Sequence, residues 1–232
     1  MFSITTGNNS NRQAGVFDYR DYTAREILAD GIIHGVAIAA SLAAGGAVLA
    51  LAAVYLEPGI RLALSVYAVT LVAMFSFSMA YNIIPHPSLK PLLRRFDQAA
   101  IFLKIAGTYT PLTILIGSVF SHAMLAVIWS GALVGVGLKI FGRMHRDRYT
   151  IPLYLALGWA SVALVWPMME TLPTVDAVLI ITGGLLYTVG LGFHVWHSLA
   201  YQNVIWHSFV LAAAACHFTA VSHASFTLGL AA

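Results

Sequence analysis

The sequence predicts an all-α polytopic membrane protein: a seven-helix transmembrane bundle with its N-terminus in the cytoplasm and its C-terminus outside. Three observations carry that prediction. Hydrophobic residues make up 59% of the 232 positions and charged residues only 9%, where a soluble globular chain carries about 25% charged. The apolar residues fall into runs of the ~20 residues that a helix needs to cross a bilayer. The charges gather between those runs. This composition excludes a soluble enzyme or a nucleic-acid-binding domain, so the net charge of +3 reports topology rather than polyanion binding.

In chain order, residues 1–25 read as a polar cytosolic tail without the apolar core of a signal peptide. Phe17, Tyr19 and Tyr22 suit a short interfacial segment there. The seven-helix domain takes up residues 26–232. Its first span, 26–55, opens with Glu26, Asp30 and His34, four apart and therefore on one helix face. The Ala- and Gly-rich run that follows suits close helix packing in lipid. Glu57-Pro58-Gly59 is a tight turn, and the second span covers 60–84. The third covers 96–116, where Pro111 is expected to kink it, and the fourth covers 119–141. The fifth, sixth and seventh cover 151–169, 175–196 and 203–226. Cys216 is the only cysteine, which rules out an intrachain disulfide and leaves it as a small packing residue.

Orientation follows from Lys and Arg, which cytoplasmic loops retain. The tail holds Arg12, Arg20 and Arg25, the 2–3 connection Lys90, Arg94 and Arg95, and the 4–5 connection Arg143, Arg146 and Arg148; the opposite side has only Arg61. In this orientation His34, Asp97 and His207 lie within about two turns (roughly 11 Å) of the cytoplasmic ends of their helices. Ser78 and Asn82, four apart on the second span, lie near its cytoplasmic exit, and Asn203 precedes His207 by one turn. Four helices thus place polar groups in one inner-leaflet layer, which points to a polar cavity, because intramembrane polar residues are expensive to keep. For Asp97 a plainer reading is a helix cap paired with Arg94 and Arg95. His86, His122 and His145 read as solvated loop residues, and His194 and His197 as interfacial. His217 is either an upper cavity wall or a helix–helix hydrogen bond. Lys104 calls for an acidic partner or a wet cavity, and Lys139 can snorkel.

These residues resemble the hemolysin III family, the bacterial branch of the progestin and adipoQ receptor (adiponectin-receptor-like) proteins. The marks are EILADGIIHG from Glu26, SMAYN from Ser78, RRFDQAAIFLKIAGTYTP from Arg94, YLALGW from Tyr154 and NVIWHSFVLAAAACHF from Asn203. The resemblance implies a zinc ion near the cytoplasmic face, held by one His on the second span and two His, four apart, on the seventh. It also implies a nearby Ser and Asp, in a site similar to that of alkaline ceramidases. Ser78, Asp97 and His207 match this pattern. Asn82 and Asn203 stand where the other two His belong, and Asp30 stands where the family usually has Asn. Zinc sites generally use three His, Cys or carboxylate ligands; His207 is the only family ligand kept, so zinc is expected to bind weakly or not at all at that position unless Asp97, or Asp30 with His34, is recruited.

Three functions stay open. One is a membrane-embedded hydrolase of a lipid amide or ester, with Asp97 as general base and Ser78 as an orienting hydroxyl. Another is a non-catalytic lipid receptor or sensor whose cavity, lined by Asp30, His34, Asn82, Asn203 and His207, holds a lipid or fatty acid. The third, following the family's name, is a membrane-perturbing protein. The expected partners are membrane lipids, with no nucleic acid, and the expected location is the bacterial inner membrane.

Overall fold

The structure, a computed structural model, describes residues 22–141 and 147–231. The expectations for Phe17, Tyr19, His145 and the basic residues from 1 to 21 and 142 to 146 lie outside it. Among the described residues there are helices and no strands. The helices are α1 (Ala24–Tyr55), α2 (Pro58–Ile83), α3 (Lys90–Ile116), α4 (Val119–Ile140), α5 (Asp147–Trp159), α6 (Val165–Thr171), α7 (Thr174–His194) and α8 (Gln202–Gly229), with a 3-10 segment (Ala160–Leu164) between α5 and α6. Among the described residues, seven stretches are long and apolar enough to cross a membrane, the fifth being Thr150–Thr171. Leu28, Val54, Leu62, Val69, Val119 and Trp166 are exposed on the outer surface, as side chains facing lipid would be. α8 packs against α1, α2, α3 and α7, and α3 against α2, α4 and α8. These two helices form the centre of the bundle.

α1 begins at a capping box. Thr23 Oγ1 accepts from Glu26 N, and Glu26 Oε2 accepts from Thr23 N at 2.9 Å, so orphan amides at the helix start are satisfied from within. α2 starts on Pro58, whose missing N–H costs nothing in a first turn.

Two spans differ from the expectation. α3 begins at Lys90 rather than near residue 96, because Pro91 suits a first turn and the Lys-Pro-Leu-Leu-Arg-Arg stretch is helix rather than loop. Leu89 is therefore the N-cap, and Asp97 lies two turns inside the helix, which removes its reading as a cap. α3 continues through Pro111 to Ile116. The fifth span is broken: after Trp159 it tightens into the 3-10 segment. Tyr109 Oη on α3 donates to the freed carbonyls of Leu157 at 3.0 Å and Gly158 at 2.7 Å. A side chain from a central helix thus satisfies the break, as buried carbonyls require.

α2 and α3 approach closely at Gly107. A Cβ there would lie 2.1 Å from Thr70 Oγ1 and 3.0 Å from Thr70 Cβ, and that hydroxyl is held by the carbonyls of Val66 and Tyr67. Gly107→Ala is expected to destabilise by about 1–3 kcal/mol through overpacking. Adding Thr70→Ala should recover part of the loss; equal thermal melts of the single and double variants in detergent would contradict the close approach.

Candidate functional site

The site lies at the end of the bundle where α1, α3 and α8 begin and α2 finishes. Asp30 and His34 are one turn apart on α1 and both are buried. His34 Nδ1 is 2.8 Å from the Asp30 carbonyl and 3.5 Å from Asp30 Oδ2. The other carboxylate oxygen, Asp30 Oδ1, is 2.6 Å from His207 Nδ1 on α8. The far nitrogen of that ring, His207 Nε2, is 3.4 Å from Ser78 Oγ on α2. Asp30, His207 and Ser78 thus stand in line across three helices, and the two imidazoles meet edge to face with centroids 4.3 Å apart.

The two asparagines extend this line. Asn82 Nδ2 donates to the Ser78 carbonyl at 2.9 Å and lies 3.4 Å from Ser78 Oγ. Asn203 Nδ2 donates to Asn82 Oδ1 at 3.2 Å, which turns the Asn82 amide so that its NH₂ faces the serine. Asp97, half-buried on α3, accepts a hydrogen bond from the Ser78 hydroxyl and lies within electrostatic range of His207, Arg94 and Asp30. Arg95 instead donates to the Ile140 carbonyl at the end of α4. Asp30, His34, Ser78, Asn82, Asn203 and His207 therefore share one set of contacts, with Asp97 beside them.

A cleft of ≈ 20 Å³ leads to Asp30, lined by Tyr22, Glu26, Ile27, Asn82, Tyr201, Asn203 and Val204. Its rim is tied together by Glu26, which sequence reasoning placed on the right face without a partner. Glu26 Oε2 accepts from Thr23 N and Oγ1, and Oε1 accepts from Tyr201 N at 2.8 Å. Tyr201 is left-handed at φ 55°, a conformation that costs a β-carbon-bearing residue of order 1 kcal/mol or more. The carboxylate holds that turn where α8 begins. Glu26→Gln, which replaces an acceptor oxygen by a donor, is expected to cost about 1–2 kcal/mol; an unchanged thermal melt would mean that this clasp is idle.

Other polar residues fall outside the site. Among the described residues Lys104 has no acidic partner: its Nζ donates to Thr108 Oγ1 at 2.7 Å and sits 4.3 Å from the Tyr67 ring centroid. A hydroxyl and an aromatic face replace the expected carboxylate. Lys139 is buried rather than snorkelling, and donates to Gln98 Oε1 at 2.8 Å. His217 bonds the Ile180 carbonyl on α7 at 3.1 Å, the helix–helix option. It fits because position 183 is glycine, where a Cβ would lie 2.3 Å from the ring. His122 stands in the first turn of α4, bonded to the Ser118 carbonyl, rather than in a loop. A pair that the sequence did not reveal, Asp176 and His223 at 2.9 Å, lies at the opposite end of the bundle.

The profile of a family described as Haemolysin-III related matches residues 23–218. This chain belongs to the hemolysin III family. Among similar proteins are the "Hemolysin-3 homolog" of Bacillus subtilis (strain 168), 32% identical over 86% of this chain and 94% of that one, and "Hemolysin-3" of Bacillus cereus, 33% identical over 85% and 90%. The human "Monocyte to macrophage differentiation factor" is 27% identical over 67% of each chain.

The zinc ion implied by that resemblance can be tested against the donors present. At the family position two ligands are amides, and the only oxygen of Asn82 already accepts from Asn203. Both nitrogens of His207 face protein partners. Among the described residues, Asp30, His34 and His207 are the one group with three metal-capable side chains. Asp30 Oδ1 and His207 Nδ1 are 2.6 Å apart, however, whereas ligands bound to zinc at 2.0–2.1 Å in a tetrahedron lie about 3.3 Å from one another. The pair is bonded to itself, so the residues present do not fit the ion.

Proposed function

We propose that this hemolysin III protein is a membrane-embedded hydrolase that cleaves an amide or ester of a membrane lipid at a polar site in the inner leaflet, with its N-terminus in the cytoplasm of a bacterial inner membrane. The observation that carries this reading is the buried line Asp30–His207–Ser78: an acid, a base and a hydroxyl in consecutive contact at one end of the helices. Isolated polar residues in membrane helices can serve as packing glue worth about 1 kcal/mol. Three helices supplying complementary acid–base partners beside a cleft exceed what glue requires.

The test is lipid mass spectrometry on full-length protein reconstituted with mixed lipid amides and esters. Time-dependent release of a free acyl chain, abolished in His207→Ala, supports the reading. A lipid that co-purifies intact, with no release, overturns it in favour of a receptor. Leakage of dye-loaded vesicles without release would favour the membrane-perturbing activity carried in the names of the Bacillus relatives.

A further inference from the structure

We propose that the site works without a metal, by covalent catalysis: Ser78 is the nucleophile, His207 its general base, and Asp30 the positioning residue behind it. This rests on the hydrolase reading above and names its mechanism. The geometry is a directed relay. Asp30 Oδ1 at 2.6 Å fixes the proton of His207 on Nδ1, which leaves the lone pair on Nε2, the nitrogen facing Ser78 Oγ at 3.4 Å. The same order of hydroxyl, imidazole and carboxylate recurs on unrelated folds because the roles, not the scaffold, define it. A 3.4 Å contact suits a site without substrate, since such hydrogen bonds tighten when substrate binds. The ring is also held laterally, by the edge of His34.

The two asparagines acquire a role in this scheme. One N–H of Asn82 is spent on the Ser78 carbonyl, while the other lies near Oγ, where a carbonyl oxygen under attack would develop charge. A side-chain amide in that position is an oxyanion donor, and Asn203 sets its orientation. Asp30 supplies the carboxylate.

The steps balance. Ser78 Oγ bonds to the acyl carbon of the lipid as its proton passes to His207 Nε2. The bond from that carbon to nitrogen or oxygen then breaks, and Nε2–H protonates the departing amine or alcohol. Water gives one proton to Nε2 and attacks the acyl-Ser78 ester. The carbon–Oγ bond breaks, Oγ recovers the proton, and a carboxylic acid leaves. One water is consumed, and no redox partner or metal is required.

The test treats the full-length protein in detergent with a long-chain fluorophosphonate, with and without EDTA, and locates the adduct by peptide mass spectrometry. The expected result is labelling of Ser78 that EDTA does not alter. It should be lost in Ser78→Ala and His207→Gln, with both variants checked for an intact thermal melt. Asp30→Asn should cut the maximal labelling rate by ~10²–10⁴-fold without changing the probe concentration for half-maximal rate, a split that a merely structural role would not produce. Ser78→Cys, which keeps a nucleophile of nearly the same size, should accumulate a hydroxylamine-sensitive acyl adduct at position 78. Lipid turnover without a Ser78 adduct, or turnover abolished by EDTA, overturns this mechanism while leaving the hydrolase reading intact. Neither labelling nor turnover overturns both.

Discussion

Asp30→Ala is expected to lower the unfolding free energy by about 1.5–3 kcal/mol, the range for losing a buried hydrogen bond to a charged group. Asp30 is 4% exposed and His207 7% exposed, and their contact is the shortest in the site. The alanine leaves His207 Nδ1 without its acceptor and opens a void between α1 and α8. His34 is spared, because its Nδ1 also bonds the Asp30 carbonyl, a backbone group that any residue at position 30 supplies. The loss therefore falls on the α1–α8 contact. Asp30→Asn retains an oxygen for His207 and should lose no more than about 1–2 kcal/mol. Thermal or denaturant unfolding of both variants in one detergent checks the contrast. If the alanine variant lost under about 1 kcal/mol, the line would be incidental to the fold, since such a loss is that of an ordinary hydrogen bond.

The parts of this architecture that were legible in the sequence are those written in local pattern. Apolar runs separated by charges located all seven spans, and four-residue spacing put Glu26, Asp30 and His34 on one face. What pattern could not supply is the partner across the bundle. Nothing around position 30 shows that its carboxylate meets a ring 177 residues later, and nothing around Asp176 points to His223. Boundaries failed where charge and helix overlap: Lys90, Arg94 and Arg95 read as a loop, yet they form the first two turns of α3. Lys104 was misread for a related reason. The expectation that a buried cation needs an anion ignores a hydroxyl one turn along its own helix and an aromatic face on the next. The departures at positions 30, 82 and 203 were visible as letters, but their joint meaning depends on which atoms face each other.

The Asn82→His, Asn203→His double variant is expected to move the protein from no stoichiometric zinc to about one ion per chain, because it restores three imidazoles to a site that now offers one. The wild type falls short on ligand chemistry: a carboxamide offers only a weakly basic oxygen, and that of Asn82 is already engaged by Asn203. In the double variant the two new rings would stand one turn from Ser78 and from His207, on the helices that already face each other. Asp30 need not be removed. A carboxylate bonded to Nδ1 of a ligating histidine is the usual outer-shell partner, which fixes the ring and raises its basicity at Nε2. Either single variant leaves two imidazoles and an incomplete shell, so the gain should be cooperative rather than stepwise. Elemental analysis of all four proteins, purified identically without added metal, decides it. Zinc in both singles at half the level of the double would show independent sites and contradict the shared geometry. Tight zinc in the wild type would mean that the Asp30–His207 bond opens to admit the ion, with His34 as the third ligand, and would reverse the assignment of this site as metal-free.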